Sequence, residues 1–121
     1  MVLKKNLDDL KLERRFIYRK KNVFSAKEIS IPGSKFQVVY FDPASSIDPH
    51  YHKVATEIYH VTAGSGTFSI NGRKIRAGIG VCFIIHPNDI HAISAGKKGL
   101  TIAIFKYNES ADDIYWVKSI L

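Results

Sequence analysis

"PHYHKVATEIYH", Pro49 to His60, sets three histidines and a glutamate into twelve residues. Runs that read as ordinary strands flank it, so both fold and chemistry turn on how these side chains are displayed. Side chains alternate along a strand, which puts His50 and His52 on one face and Tyr51 on the other. Two such imidazoles stand ~6.5 Å apart along the backbone and can reach one ion. After the link "KVAT" (53–56) the chain can turn into a second strand at Glu57. The face of Glu57 continues through Tyr59 and Val61, and His60 falls on the opposite side. A further histidine, His91, follows about thirty residues later, directly behind "HPNDI". Two or three imidazoles with one carboxylate suit a divalent first-row ion such as Mn, Fe, Ni or Zn. Calcium and magnesium prefer all-oxygen shells.

Outward from this stretch the chain predicts strands almost throughout. "KFQVVYF" (35–41) is β-branched and aromatic and stops at Asp42-Pro43. "EIYHVTA" (57–63) ends at Gly64, and "GTFSI" (66–70) ends at Asn71-Gly72. Asn-Gly tolerates positive φ at both central positions, which predicts a hairpin into "RKIRA" (73–77). "GVCFII" (80–85), "HAISA" (91–95) and "LTIAIFKY" (100–107) complete the β region. "NVFSAKEISI" (22–31) alternates loosely and is expected to be a strand that stops at Pro32-Gly33. Strands that recur every 8–12 residues with turn residues between them predict an all-β sandwich or barrel. Helix is scarce. Leu3, Leu7 and Leu10 are spaced for one short turn. "SADDIYWVKSIL" (110–121) carries a capping-box-like Ser110 and Asp113 and predicts a short C-terminal helix. Trp116 and the nearby aromatics are expected to pack this tail onto the barrel.

A chain of 121 residues, 45% hydrophobic, is expected to form one domain with a packed core, which excludes a disordered polypeptide. One cysteine, Cys82, excludes an internal disulfide and a thiolate-rich zinc site, and is expected to be a small buried apolar residue. "MVLKKNLDDL" has no apolar signal core, and no run approaches the length of a membrane span. A soluble protein of the reducing cytoplasm, with no membrane partner, is therefore expected. Of the net charge of +7, residues 1–35 supply +6. Such a basic arm can mark a nucleic-acid partner. No nucleic-acid motif accompanies it, so a solvated strand with no bearing on the chemistry is the expectation.

The spacing His50-x-His52, Glu57, Gly64, in "HYHKVATEIYHVTAG", resembles the first motif of the cupin superfamily. "GVCFIIHPNDIH", with Gly80 and His91, is similar to the second. The resemblance covers roughly residues 36–105. His86 stands where the family usually has proline, Asn88 where it has glycine, Ala44 for an opening glycine and Ala95 for a closing asparagine. None of these departures removes a ligand, and Asn88 can adopt the left-handed turn.

The resemblance implies a single jelly-roll β-barrel of cupin type, with 1–35 as an N-terminal arm and strands and 106–121 as a tail. It also implies an ion held by His50, His52, Glu57 and His91 with two positions left open, or alternatively an empty pocket lined by the same residues. The function implied is a metal-dependent enzyme of isomerase, lyase or dioxygenase type acting on a small polar or anionic metabolite. The alternative is a cupin that binds a small ligand or metal without turnover. Glu57 argues against the thiol dioxygenases, the single barrel against two-domain oxalate enzymes, and the lack of a helix-turn-helix against a transcription regulator. Tyr59 and His86 are the candidate proton-moving residues, and His60 is expected at the surface or a subunit interface. A homodimer using residues from the 12–30 region is expected, because an open edge strand invites a partner.

Overall fold

A computed structural model describes residues 2–117. Their ordered segments are Glu13–Arg14 (β1), Arg19–Phe24 (β2), Ala26–Ile29 (α1), Lys35–Phe41 (β3), Ser46–Tyr51 (β4), Thr56–Ile70 (β5), Arg73–Ala77 (β6), Cys82–Ile85 (β7), His91–Tyr107 (β8) and Tyr115–Trp116 (β9), with a 3-10 turn at Leu7–Asp9. One antiparallel sheet runs β1-β2-β3-β8-β4-β9, and β5 joins β6, β7 and β8. The sheet curls on itself into the jelly-roll type that the strand spacing and the cupin resemblance predict. Among the described residues no helix is long and apolar enough to cross a membrane.

Strand β8 organises the curl. Its second half pairs with β3 and with the first half of β5, in the rows Gln37–Ile104–Tyr59 and Val39–Ile102–Val61. Its first half pairs with β4 and with the second half of β5, so that His50 and Ile70 flank His91. The pairs expected as separate strands, 57–63 with 66–70 and 91–95 with 100–107, are therefore single long strands. They bend at glycines, where the β5–β8 register shifts. Gly64 has φ +70°, and a Cβ there would stand 2.1 Å from the Gly99 carbonyl oxygen. That close backbone approach lets two long strands turn a barrel corner together. The core at this corner is apolar: Val61, Phe68, Ile93 and Ile102 are buried.

Asn71 (φ +51°) and Gly72 (φ +82°) form the hairpin turn that the sequence predicts between β5 and β6. Three other expectations are overturned. Residues 22–31 are not one strand: β2 ends at Phe24, and Ser25 and Glu28 form a reciprocal capping box that starts α1. The described part of 110–117 holds a turn and the two residues of β9, not a helix, and 118–121 lie outside the described residues. Cys82 is exposed, because its neighbours in β7 alternate and it falls on the outer face.

Gly64→Ala is expected to destabilise the fold by about 3 kcal/mol or more, since it combines positive φ with a backbone clash. Gly78→Ala, where a Cβ meets nothing within 4 Å, should stay within about 0.5 kcal/mol of wild type. Urea melts of the two variants measure the difference.

Candidate functional site

Strand alternation brings His50 and His91 face to face as register partners on β4 and β8, their rings 4.1 Å apart. His52 follows just past β4 on the same face. The three histidines each offer a ring nitrogen within 4.8 Å of the others and could hold a metal ion. Glu57 reaches in from the facing wall. Its Oε1 lies 3.0 Å from His52 Nε2 and 3.5 Å from His91 Nε2. The three histidines therefore cluster in the barrel interior, and Glu57 stands beside two of them.

The other ring nitrogen of each histidine is tied down. Nδ1 of His50 meets the Asp48 carbonyl at 2.8 Å, Nδ1 of His52 the Asp113 carbonyl at 2.6 Å, and Nδ1 of His91 the Asp89 carbonyl at 2.9 Å. A carbonyl only accepts, so each Nδ1 donates and each Nε2 is left to offer a lone pair inward. Nε2 of His91 is buried and has no hydrogen-bond partner. Buried ring nitrogens are seldom left so. Backbone carbonyls behind imidazoles are the arrangement that orients histidine ligands toward a metal, so the residues fit such an ion.

Several residues of this site escape the sequence reading. Asp113 accepts the N–H groups of Lys53 (2.8 Å), Val54 (3.1 Å) and Ala55 (3.0 Å) with its carboxylate, while its carbonyl holds His52. The tail thus fixes the 53–55 link and lays Trp116 against His50, ring centroids 5.1 Å apart. Nothing local in the sequence announces a partner some sixty residues away. Lys106 was legible: it shares parity with the buried Ile104 and Ile102. Its Nζ stands 3.7 Å from Glu57 Oε2 and 3.3 Å from Glu109. Gln37 sits on the same interior face of β3.

Together His50, His52, Glu57, Tyr59, Lys106 and Gln37 border a cavity of about 80 Å³. A larger surface cleft of about 310 Å³ beside Arg76 and Gly96 has no cluster of titratable groups, so it offers no comparable chemistry. Tyr18 also lines the interior cavity, so the N-terminal arm does bear on the site, contrary to expectation. His60 is exposed, on the far side of β5. The structure does not bring His86 to the cavity. Its side chain is 68% exposed, in a turn held by its N–H bond to Asp89. Asn88 in that turn has φ +72° and donates its N–H to the His52 carbonyl, supplying the left-handed residue.

The charges follow from these contacts. Burial opposes ionisation of Glu57, but the nearby imidazoles of His52 and His91 and the charge of Lys106 hold its carboxyl well below the usual range. Burial, with His91 beside it, lowers His50 to about 4. Burial would lower His52 too, yet the Glu57 contact outweighs it and raises that imidazole. Burial and the Glu57 charge push the Tyr59 phenol well above its ordinary value, so its hydroxyl stays protonated and donates to Glu57 Oε1 at 3.3 Å.

The AraC-like ligand-binding domain profile matches residues 33–119. The chain belongs to that family. No curated protein matches it in sequence. Solved structures share its fold. The polyketide cyclase RemF of Streptomyces resistomycificus superposes with a TM-score of 0.83 at 18% identity, covering 99% of this chain and 88% of its own. An oxalate decarboxylase predicted from Thermotoga maritima gives 0.79 at 21%, over 88% and 98%. The nucleoside dehydratase Pac13 of Streptomyces gives 0.75 at 15%, over 100% and 95%. An RmlC-like cupin of Shewanella frigidimarina is similar as well, which places this AraC-like domain in the cupin fold. At these identities the likeness establishes the fold alone.

The lowered pKa of His50 makes a pH prediction for metal-free protein. Between about 4 and 6.5 the folded state binds fewer protons at His50 than the unfolded chain. That contribution is full above pH 6.5 and is lost as pH falls toward 4. His52, shifted upward, contributes fully below its unfolded value and loses that only as pH rises above it, so it does not offset the loss. Denaturant melts should show a fall on the order of 3 kcal/mol across this window. His50→Gln should flatten it.

Proposed function

We propose that this AraC-like domain is a metal-dependent enzyme acting on a small polar or anionic metabolite, with His50, His52, Glu57 and His91 as the ligands of one Mn, Fe, Ni or Zn ion. The observation that carries this is the set of three imidazoles, each pinned at Nδ1 by a backbone carbonyl, with ring nitrogens within 4.8 Å of one another. Three histidines and a carboxylate leave an octahedral ion two positions for a ligand, whereas structural zinc sites close with four ligands, often cysteines. The apolar core behind the site gives the barrel its own reason to fold, so the cluster is not needed for stability. When bound, such an ion supplies a Lewis acid for isomerisation or lyase chemistry, or a centre that activates dioxygen.

The chain's own residues supply the rest. Lys106 and His52 keep Glu57 ionised. Tyr59, protonated and hydrogen-bonded to Glu57, can deliver a proton to a substrate oxygen in the cavity. His86, in its exposed turn, is too poorly placed for that task, which favours Tyr59 of the two candidates. A second reading, ligand binding without turnover, is favoured by the ligand-binding description of the family. A homodimer through the 12–30 region is supported by the open β1–β2 edge and by Phe16, 98% exposed between those strands. Light scattering at micromolar concentration that returns a monomer rejects it.

Purified protein is expected to carry about one transition ion per chain by elemental analysis, and His52→Ala to lose it. Asp113→Ala, which removes the carboxylate that anchors the 53–55 link and so loosens the seat of the backbone carbonyl that His52 Nδ1 meets, should lower metal affinity about 10–100-fold in competition titrations while the barrel stays folded. Turnover is tested with keto acids, sugar acids and diols on Mn-, Fe-, Ni- and Zn-loaded protein, with and without oxygen. Tight binding with no turnover under any of these conditions selects the second reading. Turnover that survives metal removal and His50→Ala overturns the site.

A further inference from the structure

The interior of the barrel collects amines that the metal ligands do not need. Lys20 on β2 is only 8% exposed, an uncommon state for a lysine, and is the register partner of Val39, which lines the cavity. The charged groups that act on it most strongly are cations: Lys35, Arg15 and Lys106. Lys35 and Lys106 are register partners, and Lys106 is in turn the register partner of Glu57, so the three form one cross-strand row. Glu109 stands 3.8 Å from Lys35 and 3.3 Å from Lys106. Glu57 turns Oε1 toward the histidines and only Oε2 toward Lys106. Three ammonium groups thus face one full carboxylate and a share of a second.

A second observation points the same way. Gln37, 3% exposed, lines the cavity, and its Oε1 has no hydrogen-bond partner among the described residues. A buried carboxamide left open needs a polar group from whatever fills the space. A flip of the amide lets it offer N–H instead.

We propose that Lys20, Lys106 and Gln37 form an anion subsite, on the far side of Glu57 from the histidines, that takes the carboxylate of a small organic acid. The acid's other end then faces the histidine cluster. The space supports a small ligand. The 80 Å³ cavity adjoins a cleft of about 180 Å³ that shares His52, Glu57, Lys106 and Ile114 with it, enough for an acid of a few carbons. Burial, and then Lys35 and Arg15, push the Lys20 amine down to about 8. An incoming anion relieves that repulsion. The inference rests on the cavity being a ligand site, as proposed above, and the two are separable because the lysines do not depend on an ion.

The experiment is calorimetric titration of malonate, malonamide and inorganic phosphate into metal-free and metal-loaded protein at neutral pH. Metal content and melting temperature are recorded for every variant. Malonate should bind both forms, and uncharged malonamide about tenfold more weakly or not at all. Lys20→Gln and Lys106→Gln should each weaken malonate about tenfold or more, with Lys98→Gln, at an exposed position of β8, unchanged. If Lys106→Gln does not fold, Lys20→Gln decides alone. No malonate binding at millimolar concentration overturns the subsite. So does malonamide binding equally well, or a folded Lys20→Gln that binds malonate like wild type. Phosphate bound more tightly than malonate with the same lysine dependence overturns the carboxylate assignment. Lysine-dependent malonate binding in a protein that takes up no metal keeps the subsite and removes the metal reading. The reverse result removes the subsite alone.

Discussion

A carboxylate taken out of water must find partners, and the arrangement of this barrel follows from where it puts Glu57. The side chain is buried, and an unpaired charge there would be strongly destabilising. His52 and His91 meet one oxygen, Lys106 approaches the other, and Tyr59 donates its hydroxyl. Each partner comes from a different part of the sheet. The curl that packs Val61, Phe68 and Ile102 into a core is the same curl that completes this carboxylate's surroundings. Packing and site chemistry are thus one constraint, and the glycine corner at Gly64 and Gly99 is where the chain meets it.

Much of this was legible from local pattern. Two-residue alternation put His50 beside His52, and Glu57, Tyr59 and Val61 on one buried face, because parity is preserved wherever a strand is regular. The Asn71-Gly72 turn was legible because few residues accept positive φ twice in succession. What failed did so for identifiable reasons. Residues 22–31 alternate like a strand, but Ser25 and Glu28 satisfy each other's backbone partners and start a helix instead. Ser110 and Asp113 carry the same kind of signal, yet Asp113 gives its carboxylate to three N–H groups of a distant loop. A capping pattern records what a side chain can do locally and is silent about a better offer from elsewhere. The long strands were divided at their glycines because a bend and an end look alike in sequence.

The N-terminal arm shows how average charge misleads. Its excess of lysine and arginine reads as a solvated face, and most of it is. Tyr18 and Lys20 are the exceptions: Tyr18, just before β2, lines the cavity, and Lys20 on β2 is buried as the register partner of Val39. Composition weighs all ten basic residues alike. Strand parity separates the one that is buried from those that are wet.

The tie between His52 and Asp113 also sets an order of events during synthesis. Strands β3 to β8 can pair and bury their apolar faces as soon as Tyr107 is available. His52 gains the acceptor for its Nδ1, and the 53–55 link its anchor, only when residue 113 has emerged. At about 5–20 residues per second this separates barrel closure from site completion by a fraction of a second to a second. During that interval the chain is a nearly finished barrel with one imidazole free to turn. The ring orientation at the centre of the molecule is therefore among the last things the growing polypeptide decides.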